Sequence, residues 1–147
     1  MNGLLRQQPQ ITLVLATLAS QAAQQLAQSL NVSVSISVVD AAGQLIHLSH
    51  MDNAPNQSRD IALSKARTAA GFKVSTGAWD ERLSKCSPGV QQGLPLQANL
   101  ALFGGGEPFF WEGTLIGAIG ISGASEKVDS DCAAAARDRV AELLAAS

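Results

Sequence analysis

Seven glycines interrupt the stretch from Phe103 to Gly123, FGGGEPFFWEGTLIGAIGISG, and they constrain the fold more than any other feature. Glycine weakens a strand interior because it loses more chain entropy on folding than other residues do. A strand that keeps glycines is expected to turn, to bulge or to lie against something that approaches its backbone closely. The segment therefore predicts strands over 108–111 and 114–122, with a further candidate over 98–103, separated by glycine turns.

The first fifty residues predict a helix followed by a hairpin. Apolar residues recur at steps of three and four from Thr12 to Leu30, which indicates an amphipathic helix with Thr12 as its N-cap. From Val32 the apolar residues alternate with serines, which is typical of a strand. A turn over 40–43 then returns the chain, so residues 32–51 are expected to form a β-hairpin.

Two more helices are predicted further along the chain. The segment from Ser58 to Phe72 has helical spacing, with Asn56 or Ser58 available as its cap, and a final helix follows Ser125, which is its predicted N-cap. Between the second helix and the glycine-rich segment, residues 73–99 predict a long loop with one helical turn around 79–83. A loop of this length is uncommon unless it is functional, mobile or in contact with a neighbouring subunit.

The composition limits the classes of function. A chain of 147 residues with 46% hydrophobic residues predicts one domain over 1–147, and a net charge of −2 without a basic cluster argues against nucleic acid as a partner. Sparse charge suggests that apolar surface is buried between subunits, so we expect a homo-oligomer. The apolar run over 11–19 is too short to span a membrane, and the helical pattern continues past it, which favours a cytoplasmic over a secreted protein.

The two cysteines do not have the spacing of a metal site. Cys86 and Cys132 form no CxxC pair, so we expect two free thiols and no bound metal. The glycines do not form a phosphate loop either, because GxxxxGK[ST] is absent and Phe109 stands where GxGxxG requires its last glycine. Two interpretations of the glycine run remain: a group of backbone N–H donors that holds a carboxylate or another anion, or a tight turn between strands.

Lys65 is the candidate anion-binding residue. It shares one helix face with Thr68 and Phe72, where a lysine either extends to solvent or faces the glycine turn and binds an anion with the help of Arg59, Arg67 or Thr76. The residues predicted to touch a ligand are Arg59, Lys65, Thr68, Thr76, Gly104, Gly105, Gly106 and Pro108.

Proton transfer and iron ligation each have candidates. Glu107 is a general acid or base if the turn removes it from water, and otherwise a solvated turn residue. His50 and His47 point to opposite faces of a strand and cannot chelate one ion together, yet either could be an axial haem ligand or a histidine satisfied by backbone or water. Alternation places His50 with Ile46 and Leu48.

Two segments carry a resemblance to a known family. MDNAPNQSRDIALSKARTAAGFKVST, over 51–76, and FGGGEPFFWEGTLIGAIGISGASEKVDSDCAAAA, over 103–136, resemble the GlcG/HbpS family of haem-binding-like proteins, which includes the C-terminal domain of PduO-type proteins. The matching motifs are a KAxTA helix after a proline, a GGxP turn, and a GAIGxSG strand followed by an acidic residue and an alanine-rich helix. None of them contains a histidine.

The resemblance implies a profilin-like α/β domain of the α+β kind, with a five-stranded antiparallel sheet covered by helices and assembled into oligomers. It also implies a small-ligand-binding protein, with haem or another tetrapyrrole as the ligand, accessory to a catabolic pathway or to redox sensing. The alternative is a small catabolic enzyme that acts on a carbonyl, enamine or carboxylate metabolite, with Lys65 as electrostatic anchor and Glu107 as proton-transfer group. A third hypothesis is a pure assembly module.

Overall fold

The structure, a computed structural model, describes residues 2–147 and contains a central sheet between helices. In chain order the elements are α1 (Leu13–Ser29), β1 (Ser35–Asp40), β2 (Leu45–His50), α2 (Ser58–Phe72), a 3₁₀ turn (Thr76–Ala78), α3 (Trp79–Ser84), α4 (Pro88–Gly93), a 3₁₀ turn (Leu94–Leu96), β3 (Gly106–Trp111), β4 (Thr114–Ser122) and α5 (Glu126–Ala146). The predicted first helix, hairpin, second helix and final helix are all present.

The sheet has four strands in the order β2-β1-β4-β3, and every neighbouring pair is antiparallel. The expectation of five strands is therefore wrong, because the segment 98–103 forms no strand. Its backbone bonds to a helix instead, since the N–H of Ala101 donates to Oγ1 of Thr68 at 3.0 Å. As a result β3, which begins at Gly106, is an edge strand of the sheet.

Helices cover both faces of the sheet. α1 and α5 bury one face, where Ile36, Val38, Ile119 and Ile121 are fully excluded from water. α2 covers the other face through its buried alanines. The contact is close enough that a Cβ on Gly120 would overlap the carbonyl oxygen of Ala62. The small alanine side chains of α2 therefore let the helix approach the sheet closely.

Two of the three predicted helix caps are confirmed. Oγ1 of Thr12 accepts from the N–H of Leu15 at 3.2 Å, and Oγ of Ser125 accepts from the N–H of Val128 at 3.2 Å. The prediction for α2 is wrong, because its N-cap is Gln57 without a side-chain bond. Ser58 is the first residue inside the helix and not its cap, and its hydroxyl donates to the carbonyl of Pro55 at 2.5 Å.

The segment after α2 is more helical than the single turn predicted around 79–83. α3 and α4 both lie within it, flanked by the two 3₁₀ turns. Pro88 begins α4, and Oγ of Ser87 accepts from the N–H of Val90 at 3.5 Å. The buried ring of Trp79 anchors the segment, edge-on to Phe72 with centroids 4.7 Å apart.

A β-bulge in β2 changes which of its side chains lie on each face of the sheet. His47 pairs with Val38 but Leu45 pairs with Val39, so Ile46 is the extra residue. Its side chain packs against the core under α1 and α5, away from the face on which alternation had placed it with His50. Simple alternation fails here because a bulge resets the period of two.

Candidate functional site

Lys65 faces the glycine segment, but its ammonium is not free. The residue is 1% exposed, and Nζ donates to the carbonyl of Ile121 at 2.8 Å and to Oδ2 of Asp129 at 3.1 Å. The ring of Phe103 lies above it, with its centroid 4.9 Å from Nζ. Lys65 therefore connects α2 to the end of β4 and the first turn of α5, and no ligand can reach it without displacing these groups.

Burial dominates the electrostatics of this pair. Loss of hydration lowers the pKa of Lys65 from its ordinary value, and the nearby Asp129 charge opposes that shift. Loss of hydration likewise raises the pKa of Asp129, against the effect of Lys65 and of the Ala124 N–H, which donates to Oδ1 at 3.0 Å. In each residue, the charge of the partner opposes the pKa shift caused by burial more strongly than any other group does.

Two of the three N–H donors of the glycine run are bonded to side chains of the chain itself. The N–H of Gly104 donates to Oε2 of Glu126 at 2.7 Å, and the N–H of Gly106 donates to Oγ1 of Thr76 at 2.8 Å. The anion beside this turn is thus the carboxylate of Glu126. These two N–H donors connect β3 to α5 and to the turn after α2, and are not free to hold an external carboxylate.

Gly105 is required at the centre of this junction. Its φ is +126°, and a Cβ at this position would lie 2.6 Å from the carbonyl oxygen of Ile121 and 2.7 Å from Nζ of Lys65. Its own carbonyl accepts the N–H of Ile121 at 2.8 Å. Any other residue would therefore push Lys65 away from its acceptors.

The structure brings most of the predicted ligand-binding residues together and places three others, Arg59, Arg67 and Pro108, elsewhere. Lys65, Thr68, Thr76 and the three glycines surround one junction. Arg59 lies apart, exposed, with Nη1 3.5 Å from Oδ1 of Asn56. Arg67 bonds the carbonyl of Gly43 at 3.1 Å, at the β1–β2 turn.

Pro108 and Glu107 belong to a different place, which we call the Glu107 groove. It is a cavity of about 540 Å³ between β3, α5 and the segment after α2. Apolar side chains form most of its wall, and its lining residues are Lys73, Val74, Ser75, Ala78, Glu107, Pro108, Phe109, Phe110, Arg137, Val140 and Ala141.

Glu107 is buried in the wall of this groove, so the alternative of a solvated turn residue is wrong. Its side chain is 11% exposed; Oε2 accepts from Oγ of Ser75 at 2.6 Å, and Oε1 lies 3.3 Å from Nη1 of Arg137. Glu107 pairs with Ile119, which points to α5, whereas Gly106 contacts α2. Lys65 and Glu107 therefore lie on opposite faces of β3 and do not form one catalytic pair.

Sequence reasoning missed Arg137 and Lys73 as groove residues. Helical spacing offered a signal for Arg137, since it shares a face of α5 with Val140 and Ala141 three and four positions later. Lys73 ends α2 in a left-handed conformation, with φ +61°, which sequence does not reveal for a lysine.

The two histidines have different surroundings. Nδ1 of His50 is hydrogen-bonded to Oγ of Ser35, and Oγ of Ser35 lies 2.9 Å from Oγ of Ser58. Nδ1 of His47 is buried and makes no hydrogen bond with the described residues. His50 also lines a cavity of about 470 Å³ with Gln24, Gln28, Ser49, Met51 and Asp52.

Residues 2–147 form neither a metal-binding cluster nor a membrane-spanning helix. They contain no group of three or more His, Cys, Asp or Glu side chains placed to hold a metal ion. No helix formed by them is long and apolar enough to cross a bilayer. Cys86 and Cys132 are free thiols, as expected.

Two curated proteins are similar to this chain. An uncharacterized 15.0 kDa protein from the dhaT-dhaS intergenic region of Citrobacter freundii is 38% identical over 136 residues, which is 90% of this chain and 94% of that protein. Protein GlcG of Escherichia coli is 38% identical over 101 residues, 69% of this chain and 72% of GlcG.

Solved structures agree with the fold. The Klebsiella pneumoniae protein ORFY superposes with a TM-score of 0.87 at 34% identity, covering 96% of this chain and 97% of ORFY. A PduOC domain, solved as a complex with heme, superposes with a TM-score of 0.80 at 32% identity, covering 88% of this chain and 94% of that domain. The family model described as "Haem degrading protein HbpS-like" matches residues 11–138, and the chain therefore belongs to the HbpS-like family, as the GlcG/HbpS resemblance predicted.

Proposed function

We propose that this protein binds haem or a related iron tetrapyrrole, and that Nε2 of His50 is its single protein ligand to the iron. The observation that carries the proposal is the chain of hydroxyl groups behind His50. The family description and the heme complex of the related PduOC domain support haem as the ligand class. With no acidic or thiol cluster among residues 2–147, one histidine suits an iron that already has four ring nitrogens.

The hydroxyl chain selects the tautomer of His50. A carbonyl can only accept, so Ser58 uses its hydroxyl proton on Pro55 at 2.5 Å. Ser35 must then donate to Ser58, and neutral His50 must donate from Nδ1 to Ser35. This arrangement leaves the lone pair of Nε2 available, because a hydrogen bond at one ring nitrogen decides which nitrogen binds a metal.

One apolar side chain beside His50 is exposed and available to one face of a flat ligand. Leu48 precedes His50 by two residues on the same strand face and is 38% exposed. β2 is an edge strand, so among residues 2–147 no further strand pairs with its outer edge. A macrocycle ligated by His50 would therefore cover apolar surface that water now reaches.

Hemin titration of the purified protein tests the proposal. We expect a saturable shift of the Soret band that is lost in His50→Ala and kept in His47→Ala, the matched control. Ser35→Ala should weaken hemin binding by roughly tenfold, because Nδ1 loses the acceptor that fixes its tautomer. Retention of the full Soret shift in His50→Ala, or no saturable shift in the unmodified protein, would refute the proposal. Circular dichroism of each variant separates lost binding from lost folding.

We also propose that the protein is a homo-oligomer in a reducing, cytoplasmic environment. Leu13, Val14 and Trp111 are 59%, 72% and 41% exposed, more apolar surface than water favours. Two unpaired thiols agree with a reducing compartment. Light scattering coupled to size exclusion measures the mass, and a protein that stays at 15.2 kDa at micromolar concentration would contradict oligomerisation.

A further inference from the structure

We propose a second binding site, separate from the haem site: the Glu107 groove binds a small organic carboxylate with an apolar or aromatic body. The site combines an apolar wall with two charged groups: Lys73, which has no acidic partner among residues 2–147, and Glu107, whose carboxylate already contacts Ser75 and Arg137. None of its charged groups contacts His50 or the Lys65 junction in the hydrogen bonds and ion pairs of residues 2–147.

The shape of the groove fits a small molecule. Its volume of about 540 Å³ lies in the range of roughly 300–1,000 Å³ that is typical of small-molecule sites. Val74, Pro108, Phe110 and Val140 supply apolar surface, and Phe109 behind them is 1% exposed, so the wall is backed by the core. An apolar body of ring size gains from burial here, because it displaces water from apolar surface on several sides.

The cations of the groove favour an anionic group on that ligand. Lys73 is exposed and lines the groove, and its ammonium makes no ion pair with any residue in 2–147. Arg137 uses Nη1 toward Glu107 and both Nε and Nη2 toward Oδ1 of Asp138 at 3.2 Å. A guanidinium has five N–H donors, so Arg137 keeps donors for a further acceptor.

Glu107 does not repel such a ligand. Its carboxylate receives the hydroxyl of Ser75 and lies beside the guanidinium of Arg137, so its charge is largely neutralised before a ligand arrives. The positive charge of Lys73 is then the one charge of the groove that no acidic side chain in 2–147 balances. A carboxylate on the ligand supplies that counterpart, and the apolar wall accommodates the rest of the molecule.

Sheet topology separates this site from His50. In the order β2-β1-β4-β3, His50 is on one edge strand and Glu107 on the other, three strand spacings away. With about 4.8 Å between neighbouring strands, the two edges are roughly 14 Å apart. One small ligand therefore cannot touch both within a single chain, and the two sites are independently testable.

The probe for this site is 2-naphthoate, with 2-naphthalenemethanol as its uncharged analogue, added to the intact protein and followed by calorimetry and by methyl NMR. We expect 2-naphthoate to shift the methyl signals of Val74, Val140 and Ala141, and to bind at least fivefold more tightly than the alcohol. Lys73→Gln should weaken naphthoate about tenfold and leave the alcohol unchanged, whereas Lys85→Gln, an exposed lysine on the surface, should change neither. Ala141→Trp should abolish both by filling the groove.

Several outcomes would overturn the site. These are no saturable binding of 2-naphthoate, equal affinity for the acid and the alcohol, methyl shifts outside the groove, or an unchanged affinity in both Lys73→Gln and Ala141→Trp. Hemin binding measured on the same variants keeps the two proposals distinct. Loss of hemin binding in His50→Ala should leave naphthoate affinity unchanged, and the reverse should hold for Lys73→Gln.

Discussion

The ammonium nitrogen of Lys65 lies 3.1 Å from Oδ2 of Asp129, and the two side chains are only 1% and 4% exposed. The pair joins α2 to the first turn of α5, and the carbonyl of Ile121, at the end of β4, accepts a second hydrogen bond from Nζ. A buried pair of this kind is costly to break but contributes little net stability, because both charges give up their hydration.

Removing one partner should destabilise the protein far more than removing both. Lys65→Met leaves the Asp129 carboxylate buried without its cation, and Asp129→Leu leaves the Lys65 ammonium without its anion, so each should lower the free energy of unfolding by about 3–5 kcal/mol. The double variant should lose much less than the sum of the two. Urea denaturation measures all four proteins; strictly additive losses would show that the two groups do not interact.

The contribution of this pair to the free energy of unfolding should be lowest near neutral pH, where both groups are charged. Asp129 has a raised folded pKa, so its contribution is present below its ordinary pKa and is lost as the pH rises through the folded value. Lys65 has a lowered folded pKa, so its contribution is present above its ordinary pKa and is lost as the pH falls through the folded value.

The quantity to measure is the free energy of unfolding of the unmodified protein minus that of the double variant Lys65→Met/Asp129→Leu. We expect this difference to be lowest around neutral pH. The difference should increase toward both acid and alkaline pH, and the comparison cancels the titration of the other groups. Urea denaturation at intervals between pH 4 and 10 provides the measurement. A maximum around neutral pH would contradict the directions of both pKa shifts.

Two glycine-to-alanine substitutions should change the free energy of unfolding in opposite directions. Gly105→Ala places a Cβ against Nζ of Lys65 at a positive φ, and strain plus overpacking should cost about 2–5 kcal/mol. Gly71→Ala adds a Cβ with open space around it on α2, and higher helix propensity should add about 0.5–1 kcal/mol. Thermal unfolding of the two variants side by side tests the pair, and a harmless Gly105→Ala would disprove the close packing at the junction.

The two thiols should differ in reactivity. Burial, assisted by the charges of Asp129 and Asp131, raises the pKa of Cys132 to about 11, whereas Cys86 is half-buried. Because the thiolate is the reactive form, iodoacetamide at pH 8 should alkylate Cys86 in the folded protein and Cys132 only after denaturation. Peptide mass spectrometry reads both sites, and equal labelling under native conditions would contradict the prediction.

Local patterns predicted the elements whose signals lie within one segment. The hydroxyls at Thr12 and Ser125 cap α1 and α5 because a cap needs only its neighbours in sequence. The strand predicted over 98–103 failed because strand formation depends on a partner elsewhere in the chain: the N–H of Ala101 donates to Thr68 on α2, and the segment joins neither edge of the sheet. The bulge at Ile46 is likewise a property of the pairing with β1 and not of β2 alone.

The sequence by itself determined the first helix, the hairpin, the second and final helices, the glycine turn before β3 and membership in the HbpS-like family, since periodicity, caps and short motifs are local properties of the chain. Only the tertiary structure decided what those parts face. It brought Glu126 to the N–H of Gly104, Asp129 to Lys65, and Arg137 to Glu107, partners that are 22, 64 and 30 positions apart. Which charges meet depends on how α5 and α2 pack around the edge of β3, and packing is a property of the whole chain.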